Sequence, residues 1–219
     1  MEASREAGAG AAREADVAPA PSEASTRRRW APANPGPLGL GAFAMTTLVL
    51  SLINANLVGV KGAAAVLPLA AAYGGVVQIL AGMWEFRTGN TFGAVAFSSY
   101  GAFWVGLYII LKLPALAVTH QAVSLYLWGW AILTVLLFVA SLRTTGALAI
   151  LFVLLTITFF LLAIGNASLV GSTSLTNNTI KLGGWFGIAT AAVAFYTAFA
   201  GVVASTFGRD VVPVYPLHR

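Results

Sequence analysis

Apolar residues run along this chain in six long blocks with little polar interruption, at 37–58, 63–84, 91–111, 121–140, 147–169 and 182–206. A helix rising ~1.5 Å per residue needs about 20 residues to cross a hydrocarbon core of ~30 Å, and each block has about that length. The pattern predicts an all-α membrane protein with six transmembrane helices. Each outgoing span is followed by a short return, so the spans pair as three hairpins, first with second, third with fourth and fifth with sixth.

Polar punctuation sets the ends of this six-helix domain, 34–208. Residues 1–33 are rich in Ala, Glu, Arg, Ser and Pro and hold no apolar run long enough for a signal peptide, so they read as a disordered tail. The tail closes on Arg27, Arg28, Arg29 and Trp30, a basic cluster with an interfacial aromatic, which marks its side of the membrane as cytoplasmic. Six spans return the C-terminal tail, 209–219, to that side. Arg87, Arg143, Arg209 and Arg219 then fall inside, and Lys61, Lys112 and Lys181 outside. The expected location is the cell membrane.

Composition narrows the function. Charged residues make up 9% of the chain, against about 25% in a soluble domain, and there is no Cys. Between Asn34 and Gly208 stands one carboxylate, Glu85, against the cations Lys61, Arg87, Lys112, Arg143 and Lys181, a balance that suits anions. No Asp, Glu or His lies in mid-span, since His120 and Glu85 sit at span ends and His218 in the tail. A catalytic constellation and a side-chain proton relay are both missing. The expectation is a protein that is not an enzyme and has no cofactor or metal. Its net charge of +5 reflects topology and not nucleic-acid binding.

Spans 1, 3 and 5 begin after Asn34-Pro35-Gly36-Pro37, Gly89-Asn90-Thr91 and Thr144-Thr145-Gly146. Pro at a first helical position and capping residues before it suit helix starts. Three N-termini facing the cytoplasm would offer amide donors to a carboxylate, although any membrane helix needs a cap. Asn54-Ala55-Asn56-Leu57-Val58-Gly59 near the end of span 1 resembles Asn166-Ala167-Ser168-Leu169-Val170-Gly171 near the end of span 5, either by chance or because the two helices are equivalent. Gly74, Gly75, Gly82, Gly93, Gly183, Gly184 and Gly187 suit close helix packing and are not expected to line a path. Helical spacing puts Phe43, Thr47, Leu50 and Asn54 on one face, and Leu155, Phe159, Leu162 and Asn166 repeat it. Tyr100 lies at similar depth on span 3. Phe43, Tyr100 and Leu155 could close a constriction, or be packing.

The stretches Asn34-Pro35-Gly36-Pro37-Leu38-Gly39-Leu40, Gly82-Met83-Trp84-Glu85-Phe86-Arg87-Thr88-Gly89-Asn90-Thr91-Phe92-Gly93, Ala96-Phe97-Ser98-Ser99-Tyr100-Gly101 and Leu162-Ala163-Ile164-Gly165-Asn166 resemble the acetate uptake transporter family, the succinate/acetate permeases, over residues 33–212. The commonest family form has Ala where this chain has Gly36. The resemblance implies a homohexamer with one pathway in each protomer, a neck of Phe43, Tyr100 and Leu155, and polar path positions at Asn34, Thr46, Gln78, Glu85, Asn90 and Asn166. It places a size-selecting position in span 6 on Ala194. The face containing Phe43 adds Thr47 and Asn54 to the path.

The expected function is transport of acetate and related small monocarboxylates, with succinate included in some relatives. Partners would be the carboxylate, the lipid bilayer and further copies of the chain. A channel for urea or a short amide, and a non-transporting acetate sensor or scaffold, are the alternatives.

Overall fold

The computed structural model describes residues 32–112 and 119–217, so nearly all of the expected N-terminal tail lies outside the described residues. Six helices long and apolar enough to cross a membrane follow in order: α1 Gly36–Asn54, α2 Ala63–Thr88, α3 Thr91–Lys112, α4 His120–Ser141, α5 Gly146–Ala167 and α6 Asn178–Phe207. Among the described residues there is no strand, only a single bridge between Thr145 and Pro216.

Local chemistry explains where the helix ends depart from the apolar blocks. α1 stops at Asn54 because the chain turns at once, with Asn56 at φ 61 and the amides of Leu57 and Val58 both donating to the carbonyl of Leu52. Ser168, which matches Asn56 in the repeated motif, has φ −74, so the two similar stretches part there in conformation. α6 starts earlier than its apolar block, at Asn178, since the side chain of Asn177 accepts the amide of Ile180 at 2.8 Å and caps the added turn. α2 runs on to Thr88 and ends on Gly89 at φ 81. Within α2, Pro68 lacks the N–H that would close the α-helical ladder, and the following Leu69–Val77 are π-helical.

The helices alternate in direction. The starts of α1, α3 and α5 share a near end with the close of α2, while the close of α1, α3 and α5 shares a far end with the starts of α4 and α6. α1 packs chiefly on α6, α5 on α4 and α6, and α3 on α2. Small residues make these approaches possible: a Cβ on Gly184 of α6 would strike the backbone of Ala55. An aromatic-rich core of Phe43, Tyr100, Phe103, Phe152 and Phe159 fills the middle. Large apolar side chains such as Leu125, Ile132 and Leu136 stand exposed on the outside of α4, as suits contact with lipid or another apolar surface.

After Gly208 the chain returns across the near end. The carbonyls of Tyr215 and Val214 accept the amides of Gly146 and Ala147 at 2.7 and 3.2 Å, and the Tyr196 hydroxyl donates to the Pro213 carbonyl at 2.6 Å. The C-terminal segment thus supplies acceptors to the first turn of α5, whose amides have no partner within the helix.

Gly184→Val should force α6 away from α1, at a cost of roughly 1–3 kcal/mol from overpacking. Gly129→Ala is its control, because a Cβ on Gly129 meets nothing within 4 Å. Thermal unfolding in detergent should show a lower midpoint for the first variant and an equal or higher one for the second. Equal midpoints for both would mean that the α1/α6 approach is not tight.

Candidate functional site

Three cavities follow one another along the bundle interior. The near cavity, ≈ 190 Å³, is lined by Asn34, Gln78, Glu85 and Asn90 at its polar side and by Phe43, Tyr100 and Leu155 at its inner end. A middle cavity of ≈ 30 Å³ shares Phe43 and Leu155 with it and adds Thr47, Asn54 and Trp104. The far cavity, ≈ 370 Å³, shares Leu50, Asn54, Phe103 and Leu162 with the middle one and holds Asn166 and His120. Side chains of Phe43 and Leu155 therefore stand between the first two spaces.

Helical geometry puts these residues together. Phe43, Thr47, Leu50 and Asn54, spaced along one face of α1, all line the middle cavity, opposite Leu155, Phe159 and Leu162 of α5. α3 contributes Tyr100, whose ring centroid lies 5.7 Å from that of Phe43, 6.3 Å from Phe152 and 6.4 Å from both Phe159 and Trp130. Its hydroxyl and that of Thr134 are 2.9 Å apart, and Thr134 spends its single proton on the Trp130 carbonyl at 2.7 Å. Tyr100 must then be the donor to Thr134. The ring is pinned to α4, and the hydroxyl is committed to a side chain of α4.

Gln78 is the polar group that stands out in the near cavity. It is 0% exposed, yet neither its Nε2 nor its Oε1 has a hydrogen-bond partner among the described residues. Leaving a buried amide unpaired costs ~1–3 kcal/mol. Glu85, by contrast, is committed: its Oε2 accepts the Thr88 hydroxyl at 3.3 Å, and the Asn90 amide also reaches it. Asn90 Oδ1 accepts the Gly93 amide at 3.1 Å, so its Nδ2 is left for Glu85. These bonds tie the close of α2 to the start of α3.

Some expected positions fall elsewhere. Thr46 lines none of the three cavities; it donates to the Ala42 carbonyl at 3.0 Å and faces Gly74 of α2, 100° round the helix from Thr47. Ala194 is fully buried in the core and lines none of them either. Gly93, expected to serve packing alone, lines the near cavity. Of the helix-start amides, those of Gly36, Gly93 and Leu148 are taken by Asn34, Asn90 and Thr145 side chains, and those of Gly146 and Ala147 by the C-terminal segment. Trp104 and Phe152 were not singled out beforehand, although Trp104 follows Tyr100 by four residues and Phe152 precedes Leu155 by three, on the same helix faces.

A family model described as the GPR1/FUN34/yaaH family matches residues 16–219. The chain belongs to the GPR1/FUN34/yaaH family. Acetate permease A of Emericella nidulans is 40% identical over 195 residues, which cover 83% of this chain and 65% of that longer protein. The succinate-acetate/proton symporter SatP of Escherichia coli K12 is 40% identical over 190 residues, covering 85% of this chain and 97% of its own. The solved structure of the bacterial acetate channel SatP superimposes with a TM-score of 0.76 at 40% identity, over 84% of this chain and 99% of that one. This GPR1/FUN34/yaaH chain thus has the helix architecture of a membrane channel, and the three proteins just described are a permease, a symporter and a channel rather than enzymes.

Removing the anchor of Tyr100 tests how the interior is held. Thr134→Val should leave the Tyr100 hydroxyl unpaired and lower the unfolding midpoint by ~2–10 °C, while Thr134→Ser restores the bond and the midpoint. Equal midpoints for Val and Ser would show that the hydroxyl relay does not hold the ring.

Proposed function

We propose that this protein carries acetate and related small monocarboxylates across the cell membrane through the three cavities, one path in each protomer of a homohexamer, with both termini in the cytoplasm. Support comes from family membership, from relatives named for acetate and succinate, and above all from Gln78. A wholly buried amide with both ends unpaired, facing a cavity, is suited to a ligand that both accepts and donates hydrogen bonds.

That requirement bears on the form in which the substrate crosses. A carboxylate can use the Nε2 donors of Gln78 but offers nothing to Oε1, whereas a carboxylic acid pairs with both in one plane. Beyond Gln78 the way is closed by Phe43, Tyr100 and Leu155, which suit the methyl group and not a charge. With a pKa near that of Glu, ~4.3, on the order of two molecules per thousand are neutral at pH 7. In our reading the ion enters the near cavity or the far one, and the proton crosses the neck on the substrate. Glu85, Asn34 and Asn90 shape the cytoplasmic mouth, and Glu85 is chiefly a tie between α2 and α3. Asn54 and Asn166 receive the substrate on the far side, with Thr47 next to the neck.

Uptake of labelled acetate and of labelled urea into proteoliposomes, with and without a pH gradient, tests this reading. Acetate should enter, faster with an inward proton gradient, and urea should not. Urea uptake without acetate uptake would identify a neutral-solute channel, and neither would indicate a sensor or scaffold. Leu155→Ala should keep acetate uptake and admit lactate; an unchanged substrate range in a folded variant removes Leu155 from the neck. Gln78→Leu should slow acetate about tenfold without lowering the unfolding midpoint, because replacing an unpaired buried polar group with an apolar one costs little. Full activity in Gln78→Leu would exclude it as a substrate contact.

A further inference from the structure

His120 opens α4 at the far end, on the border of the far cavity and of a second space of ≈ 380 Å³ under the α5–α6 connection. Its Nδ1 lies 3.2 Å from Asn166 Oδ1 on α5, and its Nε2 lies 3.0 Å from the backbone carbonyl of Ser174 in that connection. Both partners are acceptors. The Ser174 oxygen is a backbone carbonyl, and the orientation of Asn166 is fixed because its Nδ2 donates to the Leu162 carbonyl at 2.8 Å. Turning the amide over would set two oxygens against each other at Leu162, and turning the imidazole over would replace both bonds with C–H contacts.

A neutral imidazole carries one N–H and would leave a nitrogen lone pair facing an oxygen at one of these contacts. The imidazolium satisfies both. The dipole of α4 opposes a cation at this position, while hydrogen bonds from a charged donor, about twice as strong as neutral ones, favour it.

The surroundings give the charge an outward use. Among the described residues, no other side chain lining these two spaces is titratable. On the elements packed around them, Tyr108 and Lys112 belong to α3 and Lys181 to α6, and Lys61 lies in the turn after α1. The one carboxylate between Asn34 and Gly208, Glu85, is at the near end. A positive His120 therefore has no counter-ion in the far cavity, and a carboxylate arriving from solution can serve as one.

We propose that His120 is a proton-operated latch and anion-recruiting group at the outer mouth. Protonated, it ties α4 to α5 and to the connection through Ser174, and presents a positive charge to an incoming carboxylate. Deprotonated, it loses one tie and the charge. Recruitment would then follow the proton on this ring. The recruiting role rests on the transport reading above; the latch does not.

The sequence contains two histidines, so His218→Gln leaves a single imidazole to observe by ¹⁵N NMR. At pH 5.5 both ring nitrogens of His120 should carry protons and amides 170–175 should exchange slowly; on raising the pH to 8, loss of one proton and loss of protection should occur together. A singly protonated ring at pH 5.5, or protection indifferent to the proton, overturns the latch. In proteoliposomes, dividing wild-type acetate uptake by that of His120→Gln removes the substrate's own titration. The ratio should fall about fivefold from external pH 5.5 to 8, the factor that one unit charge at ~4 Å supplies in water-like surroundings. Uptake by His120→Lys, divided by that of His120→Gln in the same way, should stay high at pH 8. A flat ratio overturns the recruiting role. If His120→Gln does not fold, uptake by His120→Lys that falls with pH as steeply as wild type overturns it instead. Absence of acetate transport with the ring and loop behaving as described would sink the transport reading and leave the latch standing.

Discussion

The hydroxyl of Tyr100 donates to Thr134, whose own proton is committed to the Trp130 carbonyl, and this relay joins α3 to α4 at the depth where the near and middle cavities are separated. Around it Phe43, Phe152, Phe159 and Trp130 place their rings within 5.7 to 6.4 Å. In lipid there is little hydrophobic drive between helices, so position must come from packing and from hydrogen bonds of this kind. With its hydroxyl committed to Thr134, Tyr100 serves the interior as an aromatic surface.

Polarity is distributed accordingly along the interior. Near the cytoplasmic mouth of our proposal, most polar groups are already spoken for: Glu85 by Thr88 and Asn90, Asn34 by the Gly36 amide, and the first amides of α5 by the returning C-terminal segment. Gln78, one step further in, is left unpaired. Such an arrangement favours passage over tight binding, since a site that holds too firmly also releases slowly. On the other side of Phe43 and Leu155, Trp104 Nε1 and Thr47 Oγ1 are likewise buried without a partner among the described residues, beside a space of ≈ 30 Å³.

Much of this organisation was legible in the sequence because it depends on periods. The apolar blocks gave the six helices, and the four-three-four spacing of Phe43, Thr47, Leu50 and Asn54 marked the one face of α1 that meets the middle cavity. Contacts that depend on distant chain segments were not legible. Nothing in the spacing says that Val214 and Tyr215 return to accept the first amides of α5. Spacing had put Thr47 on that face of α1, while Thr46 entered only through the family resemblance; that Gly74 of the π-helical stretch lies against Thr46 was not legible. Pro68, which precedes the π-helical stretch Leu69–Val77, was not singled out in the sequence. Thr134 was not singled out either, and nothing in the sequence names Tyr100 as its partner.

Diffraction from crystals grown with bromoacetate bears most directly on the central claim, because bromine marks the substrate's position independently of transport. Our account predicts an anomalous peak inside the near cavity, with the carboxyl group within hydrogen-bonding distance of Gln78 and the bromomethyl group towards Phe43 and Leu155. Bromine found only outside the three cavities, with Gln78 turned to another protein group, would contradict it.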